Sequence, residues 1–153
     1  TGTSSRLYVF EAPIDLMSFL SRYPRGWQEH SYVALCGTAE HAMLWMLEQN
    51  PGLRAVCLCL DHDEAGIEAS GRLADILHER GYDDVGMLQP KHKDWNEDLK
   101  ADRGLPAQEA EEHPQLIASS AVCGRIGVCM DECVIPDRLV RDLTNALCGY
   151  DMR

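Results

Sequence analysis

The chain has 153 residues, 45% of them hydrophobic and 25% charged, enough for one domain with its own core and far from the composition of a disordered segment. A formal net charge of −11 excludes a surface that grips nucleic-acid phosphates by positive charge alone, because such binding rests on Lys and Arg. No run approaches the roughly 18 apolar residues that a membrane span needs, so a cytoplasmic protein without membrane contact is expected.

The opening stretch, TGTSSRLYVF, passes from small polar residues straight into an apolar run, as expected for a piece of a longer polypeptide with neighbouring domains. RLYVF (6–10) reads as a strand. PIDLMSFLSRY (13–23) reads as a helix with Pro13 in its first turn, where a missing N–H costs nothing. SYVALC (31–36) is a second strand, and TAEHAMLWMLEQN (38–50) a second helix with Thr38 as its N-cap and NPG as its stop. RAVCLCL (54–60) is a third strand. DEAGIEASGRLADILHERG then carries apolar residues at 67, 73, 74, 76 and 77, with Gly81 where a helix C-cap belongs. DVGML (84–88) is a short fourth strand.

These strands are near-continuously apolar, without in–out alternation, as when helices cover both faces of a parallel sheet. Strand–helix repetition with short connections predicts an α/β fold: a four-stranded, mainly parallel sheet flanked by helices. After residue 90 the pattern changes. KHKDWNEDLKAD is a polar loop entering a short helix, and LPAQEAEEHPQLIASSAV reads as helical but broken by Pro114, with EAEEH (109–113) as a solvated face. A last helix is expected from Pro136 to about Leu147, while Ile126–Met130 fits strand and helix equally. The expected division is a catalytic-type domain over 1–101 and a helical C-terminal extension, 102–153, packed on it.

Seven cysteines stand at 36, 57, 59, 123, 129, 133 and 148, with no CxxC pair. Reduced thiols serving as small hydrophobes are expected. The cluster at 123, 129 and 133 matches no common zinc spacing.

AVCLCLDHDEAG (55–66) raises the functional question, for an apolar strand runs directly into Asp61-His62-Asp63. In an open parallel sheet, ligands bind beyond the carboxyl ends of the strands. Glu11 follows the first strand, and Asp61 and Asp63 follow the third, two residues apart and so pointing the same way in extended chain. If the first and third strands are neighbours, the three carboxylates share one site. Such a group repels itself unless a cation holds it, and hard oxygen ligands suit Mg²⁺ or Mn²⁺. The competing reading of Asp61 is the N-cap of the next helix. Gly66 allows close backbone approach at that helix's start.

Taken together, VFEAPIDLMSF, LCGTAE, LDHDEAG and KDWNEDL resemble the TOPRIM domain of bacterial primases, topoisomerases and some nucleases, over roughly residues 6–101. The nearest likeness is to primase-type TOPRIM domains of bacterial mobile elements. The resemblance implies a TOPRIM/Rossmann-like sheet with Glu11 as the acid/base or metal glutamate, Asp61 and Asp63 as metal aspartates, and Asp94 as the acid near a second metal. By the same likeness Lys93 would meet a phosphate, and Gly37 would edge the site beside Gly66. The family's glycine after the glutamate is replaced by Ala12-Pro13.

Other candidates read more simply. Asp15 in a first helical turn is ordinary dipole chemistry, though it could join the acids. His62 should face away from Asp61 and Asp63, and Trp95 should anchor its loop to the core rather than stack a base. The remaining histidines share no ligand spacing. The function implied is Mg²⁺- or Mn²⁺-dependent nucleotidyl or phosphoryl transfer, the TOPRIM domain of a DNA primase. DNA or RNA and nucleotides would be engaged through bound metal. The alternatives are a TOPRIM nuclease, topoisomerase-like phosphoryl transfer, or a non-catalytic scaffolding module; a receiver-type domain fits less well.

Overall fold

Four short apolar segments form one parallel sheet in the computed structural model, which describes residues 2–111. The strands are β1 (Arg6–Phe10), β2 (Ser31–Ala34), β3 (Ala55–Cys59) and β4 (Asp84–Met87), in the order β2-β1-β3-β4. The helices are α1 (Pro13–Arg22), α2 (His41–Gln49), α3 (Glu64–Glu79) and α4 (Trp95–Asp102). Every strand pairing is parallel, in keeping with the mainly parallel sheet expected from the apolar strands. β3 is buried along its whole length, which is why it carries no polar residue.

Alternate side chains of the central strands serve two cores. Leu7, Val9, Val56 and Leu58 pack with Met43 and Leu47 of α2 and Ala69, Leu73 and Leu77 of α3. Tyr8, Phe10, Cys57 and Cys59 pack with Phe19 of α1 and Trp95 of α4. Among the described residues, then, α2 and α3 cover one face while α1 and α4 cover the other. No described helix is long and apolar enough to cross a membrane.

Trp95 is the anchor that the sequence suggested, 2% exposed, its ring edge-on to Phe19 at 5.0 Å. Its Nε1–H donates to the Cys59 carbonyl at 3.0 Å, tying the start of α4 to the end of β3. Trp95→Phe removes that bond and part of the filled volume, and is expected to cost about 1–3 kcal/mol, read as a lower urea midpoint.

An ion network closes α1 against α4. Buried Asp98 accepts from Arg22 Nη1 at 2.6 Å, His92 Nδ1 at 2.7 Å, and the His92 and Lys91 amides at 2.9 and 3.2 Å. Burial alone would raise its pKa, but His92, the two amides and Arg22 hold it below the usual carboxylate range.

Gly81 ends α3 as expected. At φ +84 its N–H donates to the His78 carbonyl, and Tyr82 N–H donates to Leu77, the paired bonds of a Schellman cap. Thr38 does not cap α2. The cap is Glu40, and the helix begins at His41, because the Cys36–Gly37 turn (φ +58 and +132) keeps the chain out of helical geometry there. Residues 105–111 are not helical either: His92 and Glu109 form an antiparallel bridge, so backbone pairing overrides the helical propensity of QEAE (108–111). The helix from Pro136, the Ile126–Met130 segment and the later cysteines lie outside the described residues.

Candidate metal centre

Glu11 and Asp61 meet because β1 and β3 are neighbours, with Phe10 in register with Cys59. Each acid comes just after its strand, at the carboxyl edge of the sheet. The Asp61 backbone amide lies near enough to the Glu11 carboxylate to draw its pKa down. Among the described residues, Glu11 Oε2 and Asp61 Oδ1 are buried with no hydrogen-bond partner. Buried carboxylate oxygens almost always have one, so these two are the unsatisfied atoms a cation would take.

Electrostatics places three more acids around the pair. Burial raises the Glu11 pKa, then Asp63 and Asp15 push it further, while the Asp61 amide and Lys93 draw it back. Asp61 is pushed up to about 7, first by burial and then by Asp15, Glu11, Asp94 and Asp63. Asp15 is raised by burial and by Asp94, against the Asn96 and Trp95 amides. Five carboxylates thus press on one another at the mouth of the sheet.

Asp15 is the residue that sequence reasoning underweighted. It is 3% exposed, and its Oδ1 accepts from the Asn96 amide at 3.3 Å, across 81 residues of chain. It acts on Asp61 more strongly than any other charge. An acid in a first helical turn looks the same in sequence whether it faces solvent or a second helix, and only the docking of α4 decides.

Asp63 and Asp94 share a second task. Asp63 is the N-cap of α3, its Oδ1 accepting from Gly66 N–H at 2.9 Å; Asp94 is the N-cap of α4, accepting from Glu97 N–H at 2.7 Å. The helix-capping role therefore belongs to Asp63 rather than Asp61. Both helix N-termini open on the acids, and their positive ends offset part of the repulsion.

Two glycines shape the site through the backbone. A Cβ at Gly66 would lie 2.2 Å from the Asp61 carbonyl oxygen, so the close approach made there is to the chain itself. Gly37 donates its N–H to the Glu11 carbonyl at 3.2 Å, from a positive φ that glycine adopts freely. Lys93 stands close enough to Glu11 to lower its pKa. His62 is turned elsewhere, its Nδ1 on the Pro90 carbonyl at 2.9 Å.

The donor set fits a hard divalent cation in chemistry: carboxylate oxygens, two of them buried and unsatisfied. No group of three or more His, Cys, Asp or Glu among the described residues is drawn into a ready-made cage. Hard carboxylate oxygens of this kind suit Mg²⁺, which keeps several waters and takes one or two protein carboxylates.

A family model described as Toprim-like matches residues 8–99, more than half of the chain. The matched span opens within β1 and closes in α4, so Glu11, Asp15, Asp61, Asp63 and Asp94 all fall inside it. No curated protein matches the chain.

Proposed function

This chain belongs to the Toprim-like family, which carries metal-dependent processing of nucleic acid, and on that footing we propose that it is the nucleotidyl-transferring, primase-like domain of a larger bacterial mobile-element enzyme, working in the cytoplasm. One observation carries the metal half of this reading: the buried, unpartnered oxygens of Glu11 and Asp61 amid five mutually repelling acids. The primase half rests on the likeness of the segment around Asp94.

Glu11, Asp61 and Asp63 would hold Mg²⁺ or Mn²⁺, with Asp94 and Asp15 flanking. When bound, the ion neutralises charge on the reacting phosphate and lowers the pKa of the attacking hydroxyl or water. The chain's own residues do the rest. Glu11, its pKa raised first by burial and then by Asp63 and Asp15, is suited to accept the proton lost by the nucleophile. Lys93 and the N-termini of α3 and α4 give the incoming phosphate its positive partners, which the net charge of −11 otherwise withholds. Template grip falls to neighbouring domains, so this chain alone should bind metal weakly and synthesise little primer.

Calorimetric titration with Mn²⁺ tests the site. Asp61→Asn and Asp63→Asn should each weaken binding by about tenfold or more, and unchanged binding in both would dispose of the assignment. On the full-length parent, template-directed joining of nucleotides supports priming. Strand cleavage instead would transfer the site to a nuclease or topoisomerase-like reaction, and neither activity would leave a scaffolding module.

A further inference from the structure

The chain beyond α4 runs back over both loops of the acid site, in a stretch that the family match at 8–99 does not reach. It turns at Gly104, where φ is +70. Residues 108–111 then cross the Lys93–Asp94 loop and end at the Asp61–Asp63 loop. The Lys93 peptide is held from both sides: its N–H donates to the Gln108 carbonyl at 3.0 Å, and its carbonyl accepts from His62 N–H at 2.7 Å. Glu111 N–H donates to the His62 carbonyl at 3.3 Å, while Glu111 Oε2 accepts from Glu64 N–H at 3.4 Å. The near end is fastened by Gln108 N–H on Glu97 Oε2 at 2.7 Å.

The two loops carry acids that repel: Asp94 on one is among the charges that raise the Asp61 carboxyl on the other. That like charge works against the direct bond between the loops, His62 N–H to the Lys93 carbonyl, and a cation set split between them depends on their spacing. We propose that residues 108–111 form a strap that fixes the separation of the two loops, with Glu97 as its anchor and so a positioning residue for the cation. The proposal rests on the metal reading above and adds a chain-specific element to it. Glu97 touches no candidate ligand through its carboxylate, which is spent on Gln108 and on Lys100 Nζ at 2.8 Å.

The test uses the full chain, Mn²⁺ as the probe, and two variants. Glu97→Ala keeps a good helix former in α4 but removes the anchor. Its Mn²⁺ affinity should fall roughly tenfold, as when partners behind a ligand are lost, while the metal-free thermal midpoint stays at the wild-type value or rises. Glu97→Gln keeps an acceptor oxygen for Gln108 and should restore wild-type affinity; the partly exposed ion pair it gives up with Lys100 contributes little to stability and touches no candidate ligand. Wild-type Mn²⁺ affinity in Glu97→Ala overturns the strap. So does a loss of affinity that accompanies a fallen midpoint, which would mark Glu97 as merely structural. If wild type itself takes up no Mn²⁺ and Asp61→Asn changes nothing, the metal reading falls first and the strap's role with it.

Discussion

Gly66→Ala is expected to destabilise the protein by about 3 kcal/mol or more, as overpacking against a rigid neighbour does at its upper end. Helix propensity argues the reverse, since alanine is favoured over glycine by about 1 kcal/mol in a helix interior. Geometry decides between them. The added Cβ would stand 2.2 Å from the Asp61 carbonyl oxygen, 2.9 Å from its carbonyl carbon and 3.0 Å from its nitrogen. All three are main-chain atoms, so no side chain can swing aside. Either α3 withdraws from the end of β3 or the Asp61 peptide shifts. Both movements also strain the cap bond from Gly66 N–H to Asp63 Oδ1, so Mn²⁺ affinity should fall with stability. Gly71 supplies the control from the same helix, because a Cβ there meets nothing within 4 Å. Gly71→Ala should therefore raise stability by about 0.5–1 kcal/mol and leave metal binding alone. Urea midpoints of the two variants measure both effects. Equal shifts of the same sign would show that propensity, not the contact with Asp61, governs position 66.

The sheet and its acidic rim were legible in the sequence for definite physical reasons. Strands buried on both faces must be apolar throughout, so the ends of RLYVF and AVCLCL announced themselves by the first charge after each. Glu11 and Asp61 could be paired on the supposition that β1 and β3 are neighbours, and the sheet order makes them so. What escaped reading depended on contacts distant in sequence. Asp15 is buried only because α4 docks on α1, a fact held in the Arg22–Asp98 pair and in Trp95 rather than near residue 15. The return of residues 108–111 was hidden by composition, since QEAE favours helix locally while the Gln108 carbonyl is taken by Lys93 N–H and the Glu111 N–H by the His62 carbonyl. Thr38 had the chemistry of an N-cap, but the positive-φ turn at Cys36–Gly37 moved the helix start beyond it.

Asp61→Asn should make the metal-free protein more stable at pH 8, although it removes a residue placed at the heart of the site. In the folded protein Asp61 holds its proton up to about pH 7, against an ordinary value of 3.8. A carboxyl with a raised folded pKa stabilises fully only below its unfolded pKa. The advantage is lost as pH rises toward the folded value, and above it the buried charge is a standing cost. Asparagine carries no such charge. The variant's advantage should thus be absent near pH 4, open between pH 4 and 7, and level off above 7. Asp61 is partly exposed, and with solvent screening allowed for the plateau is on the order of 1–2 kcal/mol, or about 5 °C in thermal midpoint. Mg²⁺ raised well above the wild-type Kd should narrow or reverse the difference, because wild type gains more stability from the ion than a variant of about tenfold lower affinity. Since the ion must displace the Asp61 proton, wild-type affinity should climb with pH and flatten above about 7. Scanning midpoints from pH 4 to 9, with and without Mg²⁺, reads all of this from one protein pair. A metal-free variant less stable than wild type at pH 8 would show that the Asp61 carboxylate is satisfied within the fold and not held in reserve for a cation.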